Sequence, residues 1–236
     1  MIKPVRIMDQ EGIYELERKA VMDGIYSVLM LTAAGSNGLV NLYDWKTEEH
    51  KNADGSLKPH QSVDWYIEQG RIASERKGLL NASALLSALS ERAPRDKGSH
   101  HSWKKKPYEI LVHHEEIYIE VNGETIFLNG LAASGEAAVI STYASRHGEK
   151  KDACQNIRSL AMHEMGHILG LIPNERIENV KYTPAGRHCV NECVMQSHTS
   201  FVQQKADFLG RVLGQEEKVI YGTFCPTCMQ DLENIF

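Results

Sequence analysis

Along the first quarter of the chain the hydrophobic positions form short runs. Residues 25–32 and 39–43 are apolar and flank the turn-forming stretch Ala-Ala-Gly-Ser-Asn-Gly, so they read as two strands joined by a turn. The polar stretch 46–62, with Asn-Ala-Asp-Gly and Pro59, reads as loop. Ser62 is placed to cap a helix running through Trp65, Ile67 and Ile72. A second helix is expected over residues 81–92, with Leu85, Leu86 and Leu89 on one side and an end before Pro94. Residues 95–106 hold five Lys or Arg and two His and read as a solvated loop.

Beyond Pro107 the period changes to that of strands. Residues 108–112, 116–121, with Ile117, Ile119 and Val121 alternating, and 125–128 are each expected to be extended. Asn122-Gly123 is the residue pair that a tight hairpin turn requires. Residues 137–143 form a further strand, apolar enough to lie inside a sheet. From 152 to 171 the period becomes helical, with Ile157, Leu160, Ala161, His163, Glu164, His167 and Ile168 at spacings of three and four. The fold class is therefore mixed α/β, with a twisted sheet and backing helices.

Composition narrows the partners. A chain of 236 residues with 42% hydrophobic content can build an ordinary buried core. A net charge of −5 argues against a general nucleic-acid binder, which needs a basic face. Charged residues through positions 1–25 leave no room for a signal-peptide apolar region, and the longest apolar stretch falls far short of a bilayer span. The expected location is cytoplasmic, with no membrane partner.

Of the five cysteines, four form two close pairs, Cys189/Cys193 and Cys225/Cys228. Without a secretion signal such pairs suggest metal ligation more than disulfides. Cys154 stands alone and reads as a small buried hydrophobe.

The most informative stretch is His163-Glu-Met-Gly-His167, an H-E-x-x-H sequence on a helix. Residues four apart share a helix face, so the two imidazoles present to one point, at a spacing that suits tetrahedral zinc. Glu164 lies between them but turned aside, where a carboxylate can act as general base instead of ligand. The same short pattern can arise in an unrelated helix. Gly170 and Pro173, however, end the helix just beyond it, as a chain turning toward a further ligand must. In the metzincin pattern the third His follows Gly170 at position 173, which is Pro here. The next histidine is His188, which opens the sequence His-Cys-Val-Asn-Glu-Cys-Val-Met.

His-Glu-x-x-His-x-x-Gly, then His-Cys, a second Cys, Cys-x-Met and finally Cys-x-x-Cys resembles the archaemetzincins, a metzincin family of zinc peptidases. The resemblance extends upstream to Leu128-Asn-Gly-Leu-Ala132 and Ala138-Val-Ile-Ser-Thr-Tyr143, similar to the family's edge and central strands, and covers about residues 107–236. It implies a metzincin-type fold in one catalytic domain spanning 1–236. An N-terminal subdomain, 1–170, would end in the zinc helix, and a C-terminal subdomain, 171–236, would be stapled by a second metal. It implies His163, His167 and His188 as catalytic zinc ligands, Glu164 as base, and Met195 as the Met-turn residue beneath the metal. Cys189, Cys193, Cys225 and Cys228 would hold a structural zinc, giving two zinc ions, and the partner would be a peptide or protein substrate. Three departures stand out: residues 171–187 are an insertion before the third His, the first Cys pair is one residue closer than the family spacing, and the gap from Met195 to Cys225 is longer.

Residues 125–128 are a candidate edge for an extended substrate. His198 takes the place of a tyrosine that some metzincins carry soon after the Met, and equally reads as a surface histidine. His113 and His114, adjacent on a strand, should point to opposite faces, one packed and one in solvent. Two rival readings remain open: a peptidase whose third ligand is a carboxylate, Glu175, Glu178 or Glu192, and a zinc-stabilised interaction module without turnover.

Overall fold

Strand β4 (Tyr108–His113) is buried along its whole length, and the main sheet builds outward from it. The computed structural model describes residues 3–32, 40–43, 51–91, 106–147, 153–197 and 223–235. β4 lies between β1 (Val5–Asp9) and β8 (Ala137–Ser141), both parallel to it. β2 (Val40–Tyr43) adds in parallel beyond β1, and β7 (Gly130–Ala133) adds antiparallel beyond β8, giving the order β2-β1-β4-β8-β7. A smaller sheet, β3-β5-β6, joins β3 (Leu80–Asn81) to the hairpin β5 (Ile117–Val121) and β6 (Glu124–Leu128). Asn122 and Gly123 turn that hairpin with φ of 53° and 81°, the left-handed pair that the sequence foretold.

Alternation along the strands sends side chains into two cores. Val5, Ile7, Ile110, Val112, Ala138 and Ile140 pack into one, with α1 (Glu15–Leu31) and α5 (Ala153–Ile168). Met8, Leu111, Ala137 and Val139 pack into the other, with α2 (Val63–Ile72) and α3 (Ala82–Ser90). Helices thus cover both faces of a mostly parallel sheet, as such sheets require. Ser62 caps α2 by accepting the Trp65 N–H at 3.1 Å, and Asn81 caps α3 by accepting the Ala84 N–H at 3.1 Å. A short helix, α4 (Tyr143–His147), follows β8.

One element differs in kind from its expectation. Residues 25–31 are not a strand but the second half of α1, and the strand at 40–43 pairs in parallel with β1. The reason is packing: Ala20, Val21, Gly24, Ile25, Val28 and Leu29 all turn to the core at helical spacing. Each fully buried Val, Ile or Leu contributes about 1.5–3 kcal/mol relative to exposure. That outweighs a strand propensity that spans about 1 kcal/mol, and a strand would turn alternate residues away from α5. Residues 33–39 and most of the basic stretch 95–106 lie outside the described residues.

Two elements follow α5. β9 (Val180–Thr183) and β10 (Gly186–Cys189) form an antiparallel hairpin, and α6 (Pro226–Asn234) closes the C-terminal part, with Leu232 in the first core. No helix among the described residues is long and apolar enough to cross a membrane.

Candidate metal centre

Helix α5 delivers the first two histidines. It buries Ile157 and Ala161 on the side of α1, which fixes the face that carries His163, Glu164 and His167. The helix stops at Gly170, whose φ of 85° suits a glycine at the position just past a helix end. The Leu171 N–H donates to Gly166 O at 2.8 Å and the Gly170 N–H to His167 O at 3.0 Å, the paired bonds of a Schellman stop. The chain then leaves the helix, runs out and back, and returns as β10, bringing His188 to the other two.

The nitrogens of His163, His167 and His188 lie within 4.8 Å of one another. The ring centroids are 4.6, 5.2 and 5.0 Å apart. Nε2 of His163 and Nε2 of His167 are 3.1 Å apart, near the separation of about 3.4 Å that tetrahedral zinc with bonds of about 2.0–2.1 Å imposes. The Nδ1 atoms of His163 and His188 are held from behind. Nδ1–H of His163 donates to the Val194 carbonyl at 2.8 Å. Nδ1 of His188 lies 3.1 Å from both Thr183 Oγ1 and Gly186 O, so these two rings are oriented with Nε2 toward the centre. Burial, with the neighbouring His188 adding to it, holds His167 down to about 3, which is the neutral form that can ligate.

Glu164, between His163 and His167 on α5, is buried, and its Oε2 has no hydrogen-bond partner among the described residues. Burial pushes its carboxyl up to about 8. An orphaned buried carboxyl oxygen on the helix that carries two of three converging imidazoles fits a site that takes a cation. Across from it stands Gly130 of β7, where a Cβ would meet Glu164 Oε1 at 2.3 Å. Only glycine lets the edge strand approach this closely.

Met195 lies fully buried under the helix, and a Cβ on Gly166 would sit 2.6 Å from its Sδ. The Cys189 N–H donates to Met195 O at 2.9 Å, so the third histidine's strand and the Met195 turn are tied together. Behind them, Sγ of Cys189, Cys193, Cys225 and Cys228 converge within 4.8 Å, all four buried and none in a disulfide. The Sγ atoms of Cys189 and Cys225 are 3.7 Å apart, matching the separation of about 3.8 Å across a tetrahedral ZnS4 centre with bonds of about 2.3 Å. The Cys228 thiol donates toward Cys193, which holds Cys193 down to about 6 and pushes Cys228 up, so thiolate character is already favoured there.

Other sequence expectations meet the structure unevenly. Glu175, Glu178 and Glu192 are exposed and lie outside the histidine cluster. His113 is buried and His114 partly exposed, as alternation required. Cys154 is exposed, not buried: the first turn of α5 opens onto a groove shared with Tyr26 and Met30 of α1, beyond the packed part of the two helices. β6, containing residues 125–128, borders the small sheet, whereas the edge strand next to Glu164 is β7. His198 lies outside the described residues. Sequence reasoning missed Thr183, the Val194 carbonyl and Gly130 as parts of the site. Only Gly130, a glycine inside a strand segment, carried a signal of close approach.

The overall fold has counterparts among solved structures. The chain matches an archaemetzincin from Methanopyrus kandleri with a TM-score of 0.56 and 17% identity, over 99% of this chain and 95% of that one. The fold is that of the archaemetzincins. A second archaemetzincin, from Archaeoglobus fulgidus and complexed with malonate, matches with a TM-score of 0.50 and 16% identity, over 96% of this chain and 98% of that one. No protein-family model and no curated protein matches the sequence. Because the matches span nearly the whole chain, the archaemetzincin-like fold includes the first hundred residues, which the sequence motifs reached only loosely.

Proposed function

We propose that the protein is a zinc-dependent peptidase in which His163, His167 and His188 hold a catalytic zinc and the four cysteines hold a structural one. The observation that carries this reading is the convergence of three imidazoles, two buried and one partly buried, on one point, with Glu164, whose buried Oε2 has no partner among the described residues, on the helix that carries two of them. Zinc bound there supplies Lewis acidity toward a peptide carbonyl and makes water acidic enough to deliver hydroxide near neutral pH.

The chain's own residues do the rest. Glu164 accepts the proton of the attacking water and returns it to the leaving amine nitrogen. Its burial makes it a poor carboxylate in isolation, and a neighbouring dication favours the charged form that a base needs. β7 is the last strand of its sheet among the described residues, so its outer main-chain groups can pair with an extended peptide laid past Glu164. Met195 and the Val194 carbonyl hold the helix and His163 from below. A purely structural zinc has no use for Glu164, which favours turnover over an interaction module.

The test compares zinc content and peptide cleavage in wild type, Glu164→Ala and His188→Ala. Wild type is expected to carry two zinc ions per chain and to cleave peptides from a broad library. Glu164→Ala should keep both ions and lose activity by at least about 100-fold, the usual size of a general-base contribution. His188→Ala should lose one ion and all activity. Undiminished cleavage by Glu164→Ala would overturn the mechanism.

A further inference from the structure

Arg176 lies in the insertion, between His167 and His188 in sequence, yet its side chain is only 6% exposed. Its guanidinium has five N–H donors, and each has an acceptor. Nε donates to Glu178 O at 3.0 Å. Nη1 donates to Cys228 Sγ at 3.2 Å and to Asp231 Oδ2 at 2.9 Å. Nη2 donates to Cys189 Sγ at 3.2 Å and to Asn179 O at 3.3 Å. One planar group thus joins a cysteine of β10, a cysteine and a carboxylate of α6, and two carbonyls of its own loop.

The loop is fastened at its other end as well. Arg187, one residue before His188, donates to Pro173 O at 3.0 Å and to the Arg176 carbonyl. Ile172, with φ of 42°, holds a left-handed conformation that a β-branched residue adopts only under constraint, and Asn179, with φ of 55°, takes the left-handed turn that asparagine tolerates. Cys189 is adjacent to His188, so whatever fixes the four-cysteine centre fixes the strand that carries the third imidazole.

We infer that Arg176 is a positioning residue that couples the two metal centres, neutralising charge on the thiolates while clamping residues 172–187 so that His188 reaches the other histidines. The inference rests on the reading that both clusters hold zinc. Four thiolates on a dication carry net charge −2, and a buried guanidinium donating to two of the sulfurs offsets part of it. The Arg187 bonds to the Pro173 and Arg176 carbonyls hold the ends of the insertion together, the condition for an insertion at this point to leave the three-histidine geometry intact. A lysine keeps the charge but cannot supply five directed donors.

Cobalt substitution tests this without relying on activity. In the full-length protein, Co(II) at the cysteines gives a strong thiolate charge-transfer band, and Co(II) at the histidines gives only weak visible bands. In Arg176→Gln and Arg176→Lys the thiolate band is expected to persist with a shift. Affinity at the histidine site should fall about 10- to 100-fold in Arg176→Gln, as for loss of an outer-shell partner, and by less in Arg176→Lys. Circular dichroism and thermal melting monitor the fold. Asp231→Asn, which removes one anchor of the guanidinium, gives the same comparison if Arg176→Gln does not fold. Unchanged histidine-site affinity in the folded variants overturns the coupling. A wild-type chain that shows no thiolate band at all refutes the two-zinc reading itself, and the coupling with it.

Discussion

Gly130 and Glu164 face each other at a distance that a single methyl group would close. The Cβ of Gly130→Ala would fall 2.3 Å from Oε1 and 2.7 Å from the carboxyl carbon of Glu164, so the carboxyl must move. Because β7 stands at the sheet edge, the shift can be taken up without opening the core. Gly130→Ala is therefore expected to fold, to retain zinc, and to lose about 100-fold in kcat/KM, the scale of a displacement of about 1 Å at a reacting group. Peptide cleavage assays alongside zinc analysis check it, and wild-type turnover would mean that Glu164 is not held where the proton is transferred. At this scale the sequence was most legible: His163, Glu164, His167 and the four cysteines are recognisable by chemistry and spacing alone. Gly130, Thr183 and Arg176 were not, because their roles come from what lies across from them in space.

The helices α1 and α5 form the most extensive helix contact, and they meet at a glycine. A Cβ on Gly24 would lie 2.5 Å from the Arg158 carbonyl oxygen and 2.9 Å from the Ala161 Cβ, both fixed atoms of α5. Gly24→Ala gains helix propensity of about 1 kcal/mol. Separating two packed helices costs more, so a net loss of about 1–3 kcal/mol is expected, read as a lower Tm by calorimetry. An increase in Tm would show that α1 is not seated against α5 as described. The same contact explains why the strand expectation for residues 25–32 did not hold. A short apolar run has no period of its own, and the partner that decides its conformation lies about 130 residues away in the chain. Hairpin β5–β6, by contrast, carries its turn signal within the segment and was legible locally.

For the molecule as a whole, His113 links stability to pH. It ends β4, is fully buried, accepts the Glu115 N–H at Nδ1 at 3.3 Å, and has no partner for Nε2 among the described residues. Burial, with the nearby His114 adding to it, holds its imidazole down to about 3. The folded chain therefore refuses a proton that the unfolded chain takes up below about 6.5. Stability from this group is complete above pH 6.5 and falls as pH drops toward 3, by up to about 1.4 kcal/mol per pH unit. Denaturant unfolding of wild type and His113→Asn at pH 7 and pH 5, in the same metal state, should show the smaller acid loss in the variant. Equal losses would place the acid sensitivity elsewhere.

The sequence by itself determined the paired histidines and cysteines, helix α5, its stop at Gly170 and the strands β4, β5, β6 and β8. Each is written in contiguous residues whose period, turn type or donor atoms carry the information. Tertiary structure alone decided that α1 is a helix, that β7 and not β6 borders the candidate site, and that Cys154 stands exposed. It also decided that an insertion of residues 171–187 still brings His188 home. Those outcomes depend on contacts between segments distant along the chain, made by burial and by hydrogen bonds such as the five of Arg176, and no local pattern records them.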